Sequence, residues 1–532
     1  LAAADSSYER YCPGEEQIRI SDAICLGRRR ANYVKCPTCQ FNEDPPGVPV
    51  LPIAAATKRM MPTTMHVRNT PMDAIDKVFK AYDVRAIYPD PLNEDIAWRI
   101  GNATAQFLRT ALTGYSRSDP AMNKLIVGRD MRKSSPSLQQ AFIEGAAAVG
   151  TEIIDIGMID TSQLYFAVNH LPCCGGVQTT ASHNPSNYNG FKICGQKGKP
   201  IGADSGLKEI QRVAAAIARY PLPEPPRVTK VDLSKEYRAF LHQYLIPPRP
   251  LRVVVDASNG MAGRWFPLLF DGVPNLTVIP INFTHDGEFV HPPNPLVEAN
   301  LAQLKRTMAA NKADLGACFD GDADRCIFVD ERGVTARCDL VTALFAQEAL
   351  RDHPNSAIVY DLRSSRAVRD VVLKAGGTPK RERVGHVFMK RAMAETGAVV
   401  GGELSGHFYF KDFFYCDSGM LSFIHVLNVM TRTGKPLSAL LQPFQTYVGS
   451  GEQNFENDDK QGTFDRLVAR YKDAEIDTLD GVTVQYPDWW FNVRASNTEP
   501  LLRLNLEANS QALLEQKLAE LTPLLGRPAV EH

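Results

Sequence analysis

A chain of 532 residues with 44% hydrophobic and 22% charged side chains holds enough apolar material for several cores, and three or four domains are expected. Lys+Arg 59 against Asp+Glu 60 leaves a formal net charge of -1, which excludes the global basic field of a dedicated nucleic-acid or anionic-membrane binder. No uncharged apolar run reaches the roughly 18 residues that span a bilayer, and the opening LAAADSSYERYC lacks the basic-then-apolar order of a secretion signal, so a cytoplasmic protein without membrane attachment is expected.

The chain opens with four cysteines in its first forty residues, Cys12, Cys25, Cys36 and Cys39, the last two forming Cys36-Pro37-Thr38-Cys39. Such a set can supply the tetrahedral thiolates that zinc prefers. Cys12 and Cys25 do not form a second Cys-x-x-Cys knuckle, so a tail with free thiols or an iron-sulfur cluster stays open beside structural zinc. The other seven cysteines are scattered, and the odd total of 11 argues against a disulfide framework. Residues 1–44 are read as a cysteine-rich extension, and 45–71, rich in Pro and Ala, as a linker.

From about Met72 strand-like apolar runs alternate with helical patterns, as in Leu125–Val127, the helix around Leu138–Val149, and Glu152–Ile156. That alternation predicts α/β architecture. Ile126-Val127-Gly128-Arg129-Asp130, Val253-Val254-Val255-Asp256 and Ile358-Val359-Tyr360-Asp361 each read as a buried strand ending in Asp, at intervals better explained by duplicated domains than by a solenoid. The predicted divisions are α/β domain I over 72–228, II over 229–334, III over 335–446, and a smaller C-terminal α+β domain IV over 447–532, arranged around a central cleft.

Four loops carry chemistry. Thr179-Thr180-Ala181-Ser182-His183-Asn184-Pro185, with Lys192 nearby, combines a hydroxyl nucleophile with donors and an ammonium suited to a phosphoryl group, though these are also default turn residues. Asp320-Gly321-Asp322-Ala323-Asp324-Arg325 sets three carboxylates at alternate positions beyond a strand, a pattern for a hard cation. An EF-hand is rejected because Arg325 stands at the sixth position, where the turn needs Gly, and the flanks read as strands. Magnesium fits better, with Arg325 near the same phosphate. Gly401-Gly402-Glu403-Leu404-Ser405-Gly406-His407, after the predicted strand Ala398–Val400, offers grips for sugar hydroxyls and a proton carrier. The loop Arg494-Ala495-Ser496-Asn497-Thr498-Glu499-Pro500, before a strand at Leu501–Leu504, can cradle a phosphate or be a solvated turn.

From Phe79-Lys80-Ala81-Tyr82-Asp83-Val84-Arg85 to the C-terminus, with all four loops in order, the chain resembles the α-D-phosphohexomutases, nearest the phosphomannomutase/phosphoglucomutase group. The resemblance implies interconversion of hexose 1-phosphate and 6-phosphate, of mannose, glucose or both, through a phosphoserine enzyme and a hexose 1,6-bisphosphate that also serves as activator. It implies phosphoryl transfer at Ser182, and Mg²⁺ held by Asp320, Asp322 and Asp324 with Ser182 among the ligands. Arg85, His183, Lys192, Arg325 and His407 are then expected in catalysis, His183 for positioning. Glu403, Ser405, His407, His386, Arg363, Arg494, Ser496, Asn497 and Thr498 are expected to bind substrate. A phosphoglucosamine mutase or a non-catalytic sugar-phosphate sensor are the alternatives. Hexose phosphates are the expected partners, without nucleic acid, for a monomer or weak homo-oligomer.

Overall fold

Three central strands end at the predicted aspartates: Lys124–Arg129 just before Asp130, Leu251–Asp256 and Ala357–Asp361. Each lies in a separate sheet between two parallel neighbours. Burial on both faces explains why such strands read as continuous apolar runs rather than alternating ones; Leu315–Phe319, for example, is buried at every position. The computed structural model describes residues 9–11, 19–21, 72–110, 120–496 and 501–529. Cys12, Cys25, Cys36, Cys39, the linker 45–71, Asn497 and Thr498 lie outside the described residues. Near the start, Glu9–Tyr11 pairs antiparallel with Arg19–Ser21.

In each of the three sheets one parallel neighbour turns back as an antiparallel hairpin. Gly175–Thr179 returns as Tyr188–Gly195, Leu315–Phe319 as Cys326–Asp330, and Val400–Gly402 as Phe408–Phe410. The connecting turns carry Ser182, Asp320 to Arg325, and Glu403 to His407 respectively. Three of the four predicted loops are therefore the same corner of one repeated design. Beside each corner, the aspartate at the end of the central strand accepts the backbone N–H two residues on: Asp130 from Arg132 at 2.9 Å, Asp256 from Ser258 at 2.9 Å, and Asp361 from Arg363 at 2.8 Å. A carboxylate that closes such a turn stays at the strand end because leaving a buried acceptor unpaired is costly.

One apolar core runs through these three sheets, from Ile126 through Val254 and Ile358 to Phe444, and contains six of the seven described cysteines. All seven are buried, as small core residues should be. The last sheet has its own core around Trp489, Phe491 and Leu504, and its ladders are all antiparallel. Among the described residues no helix is long and apolar enough to cross a membrane.

Two local readings change. The strand predicted at Ala398–Val400 is Val400–Gly402, because the ladder to Ile358–Tyr360 begins at Val400. Arg494 and Ala495 belong to the strand Trp489–Ala495 rather than to a loop, paired across to Arg503 and Leu502.

Candidate active site

The Ser182 turn places a non-glycine residue in the left-handed region, φ 49°, in a fully buried setting. Its Oγ donates to Asp320 Oδ2 at 2.8 Å, which joins the turns of the first and second sheets. Asp320, Asp322 and Asp324 are buried, and an oxygen from each lies within 4.8 Å of the other two. Three carboxylates this close repel strongly at low dielectric. Lys192 Nζ answers part of that charge, 2.7 Å from Asp322 Oδ2 and in contact with Asp324, and Arg325 Nε lies 3.4 Å from Asp320. Thr161 Oγ1 adds a 2.6 Å bond to Asp322.

This oxygen set fits magnesium. Asp322 Oδ1 is buried with no hydrogen-bond partner, Asp324 Oδ1 meets His407 and Arg325 only at 3.4 and 3.9 Å, and the donors are hard carboxylates from one tight turn. Titration behaviour agrees with a charged, dry pocket. Burial, with Asp324 and Asp322, raises the Asp320 carboxyl. Burial disfavours the Lys192 ammonium, but Asp322, Asp324 and Asp320 outweigh it and hold the lysine protonated.

Around the hydroxyl, Arg325 Nη2 lies 3.4 Å from Ser182 Oγ and donates to His183 Nδ1 at 2.7 Å. Burial and the Arg325 charge drive His183 well below its usual range, so its ring is a neutral acceptor toward Arg325 and keeps its proton on Nε2. Arg85 reaches the same turn by donating to Asn184 Oδ1 at 2.8 Å.

The third turn meets this centre through His407, whose Nε2 lies 3.4 Å from Asp324 and 3.7 Å from Asp417, while Nδ1 lies 2.8 Å from Ser405 Oγ. Burial opposes the imidazolium, yet Asp324 outweighs it and the His407 pKa rises. Glu403 accepts the Gly385 N–H at 3.0 Å and the Tyr409 hydroxyl, which ties the turn to the segment bearing His386. His386 stands edge-on to Tyr82 at the start of the helix His386–Thr396. Asp417, paired with Lys390 at 2.7 Å, completes this side.

The fourth element is built differently. Glu452, on the strand Val448–Glu456, accepts from Arg494 at 3.0 Å and Arg503 at 2.9 Å, with Arg363 3.8 Å away; Arg503 also reaches Ser496 Oγ at 3.3 Å. Burial resists the ionisation of Glu452, but Arg494, Arg363 and Arg503 prevail and lower its pKa. Arg363 in turn is held by Asp361, whose Oδ2 accepts from Arg363 Nη2 at 2.7 Å and from the Leu404 N–H at 2.8 Å. Contacts thus run without a break from the Arg494 cluster to the Glu403 turn. The sequence did not single out Arg132, Thr161, Lys390, Asp417, Glu452 or Arg503; the Asp-x-Arg spacing shared by Asp130-x-Arg132 and Asp361-x-Arg363 is the one signal that marks any of them.

Comparison with known proteins agrees with this layout. Descriptions of phosphoglucomutase/phosphomannomutase match in order: alpha/beta/alpha domain I over residues 76–221, domain II over 235–333, domain III over 338–447, and the C-terminal domain over 452–523. A phosphomannomutase of Escherichia coli is 37% identical over 463 residues, covering 84% of this chain and 98% of the relative. A protein of Xanthomonas campestris pv. campestris described as phosphohexose mutases is 38% identical over 455 residues, covering 84% and 98%. The crystal structure of a phosphoglucomutase/phosphomannomutase family protein from Burkholderia thailandensis superposes with a TM-score of 0.75 at 32% identity, covering 84% of this chain and 96% of that one. The chain belongs to the phosphoglucomutase/phosphomannomutase family.

Proposed function

We propose that this chain is a phosphohexomutase that interconverts the 1- and 6-phosphates of mannose, glucose or both. The observation that carries the reading is the buried Ser182 hydroxyl, 2.8 Å from one of three clustered carboxylates and 3.4 Å from Arg325, with Lys192 paired to the other two carboxylates. A hydroxyl so placed suits reversible phosphorylation, because two cations offset the added charge of about -1.5 to -2.

In this reading phosphoserine 182 gives its phosphoryl group to the free hydroxyl of a hexose monophosphate. The P–Oγ bond breaks, the sugar oxygen gains the phosphorus and gives up its proton, and Ser182 Oγ regains one, while His407, charged beside Asp324, offsets the phosphate's charge. The resulting 1,6-bisphosphate turns over and returns its other phosphate to Ser182. Asp320, Asp322 and Asp324, with Ser182 beside them, would hold magnesium, which would supply positive charge to the transferring group. Lys192 and Arg325 hold the phosphate oxygens, and Arg85 and His183 keep the Ser182 turn in place. Glu403, Ser405 and His386 grip sugar hydroxyls, which must be read in either orientation. Arg494 and Ser496, with Asn497 and Thr498, take the distal phosphate, and Arg363 lies on the path between. Hexose 1,6-bisphosphate serves as activator by restoring phosphoserine.

Cys12, Cys25, Cys36 and Cys39 are proposed to hold structural Zn²⁺; about one zinc per full chain, lost in a Cys36→Ser/Cys39→Ser variant, would support this, and metal-free wild type would remove it. The enzyme is placed in the cytoplasm as a monomer or weak homo-oligomer, acting on hexose phosphates without nucleic acid. A coupled assay comparing mannose 1-phosphate with glucose 1-phosphate, with bisphosphate present, tests the activity. Turnover of neither sugar would overturn it.

A further inference from the structure

Arg132 is fully buried, yet its guanidinium makes contacts on every side. Nη2 donates to the carbonyl oxygens of Ser182 at 2.9 Å and Asn184 at 2.7 Å, and Nη1 to those of Pro185 at 2.5 Å and Tyr188 at 3.0 Å. Nε donates to Asp130 Oδ2 at 3.1 Å, while Asp130 Oδ1 accepts the Arg132 N–H and the Ser135 hydroxyl. The Phe289 ring lies 5.2 Å from the guanidinium carbon. One side chain thus grips four carbonyls along the turn that carries the Ser182 hydroxyl.

We propose that Arg132 is a positioning residue for phosphoryl transfer, holding the Ser182 turn in the shape that aims Oγ at the carboxylate cluster. The inference rests on the assignment of Ser182 as the phosphoryl carrier. A left-handed, non-glycine conformation costs on the order of 1–2 kcal/mol and persists when neighbours over-determine it. Here the neighbours are Arg132 on the Ser182 carbonyl and Gly321 behind it, where an added Cβ would stand 2.3 Å from that oxygen. The turn is therefore held between the guanidinium and the carboxylate turn. The corresponding position in the third sheet shows the contrast: Arg363 spends its fork on Asp361. A planar, five-donor fork suits several fixed carbonyls, and a lysine ammonium cannot reproduce it.

The test uses full-length enzyme, with kinetics normalised to the folded fraction. Arg132→Lys should lower kcat about 100-fold, the scale of an ångström-sized misplacement of the reacting group, while KM for hexose 1-phosphate stays within about threefold. Labelling of Ser182 by bisphosphate should slow in parallel. Wild-type kcat per folded molecule, even with a lowered melting temperature, would reduce Arg132 to a structural role and overturn the proposal. Should Arg132→Lys not fold, Asp130→Asn loosens the same fork at its Nε; a kcat loss of about tenfold at unchanged KM supports the proposal, and wild-type kcat refutes it. Ser182→Ala separates the two levels. If it is inactive while the Arg132 variant is normal, this inference alone fails; if it retains turnover, the serine assignment itself fails.

Discussion

At the transfer centre three carboxylates gather around a hydroxyl and are answered by two cations, whereas at the other end three guanidiniums gather around a single carboxylate. Burial separates them less sharply than charge, since Arg494 and Arg363 are also largely buried. Asp320, Asp322 and Ser182 have no exposed surface, while the side chains of Glu452 and Arg503 keep 26% and 25% of theirs. A fully desolvated constellation is expensive to rearrange, and fixed dipoles there act most strongly on a transferring group. An ion cluster whose carboxylate and one arginine reach solvent exchanges partners at lower cost, since water compensates those charges on the way. The contrast suits a site in which phosphoryl transfer always happens at one place while the far phosphate arrives and leaves with either end of the sugar. In that reading Glu452 keeps Arg494 and Arg503 assembled until a phosphate shares them.

The contrast breaks most visibly at the buried end. Asp322→Asn removes a charge that meets Lys192 and Thr161, and kcat should fall roughly 1,000-fold with little change in KM, as measured by the coupled assay. A loss confined to KM would mean that the carboxylates only bind. At the arginine cluster the pattern should invert. Arg494→Ala should raise KM about 30-fold, the value of a charge-assisted phosphate contact, while Ser182 still accepts phosphate from saturating bisphosphate. An unchanged KM removes the cradle assignment.

Glu452→Gln gives a subtler outcome. With the competing carboxylate gone, inorganic phosphate should inhibit about fivefold more strongly, and loss of the Glu452 ion pairs should cost about 1–2 kcal/mol of stability by denaturant titration. Weaker phosphate inhibition would mean that Glu452 does not compete with the phosphate and only assembles the arginines.

The smallest effect concerns Asp160, which caps the helix Thr161–His170 by accepting the Gln163 N–H at 2.6 Å. Burial raises its pKa from 3.8 to about 7. The folded state thus favours the protonated acid, so the contribution of Asp160 to stability is largest below about pH 4 and is lost as pH rises through about 7. Asp160→Asn keeps the cap and cannot ionise. By calorimetry it should gain on wild type by up to about 4 kcal/mol at pH 8 and by much less at pH 5. Equal melting temperatures at both pH values would show that Asp160 carries no such penalty.

Much of the fold was legible because its signals are local. Val253-Val254-Val255-Asp256 and its two counterparts announce buried strands with polar ends, and Asp320, Asp322 and Asp324 announce a cation by spacing alone. What escaped depends on register. Glu452 lies in the polar stretch Gly449–Gly462, which reads as a region near a boundary, but its first residues alternate in burial as the strand Val448–Glu456 beside Leu501–Ala508. Arg503 gains its place only by standing opposite Arg494. Arg132 is 50 residues from the Ser182 carbonyl it grips, and Thr161 is 161 from Asp322, separations at which no sequence pattern links partners.

The most direct measurement follows the phosphoryl group itself. Enzyme treated with glucose 1,6-bisphosphate and analysed by intact mass and peptide mapping should carry one phosphate, on Ser182, and should pass it to hexose 1-phosphate at least as fast as steady-state turnover. Label elsewhere, discharge slower than turnover, or full activity in Ser182→Ala would contradict the phosphoserine mechanism.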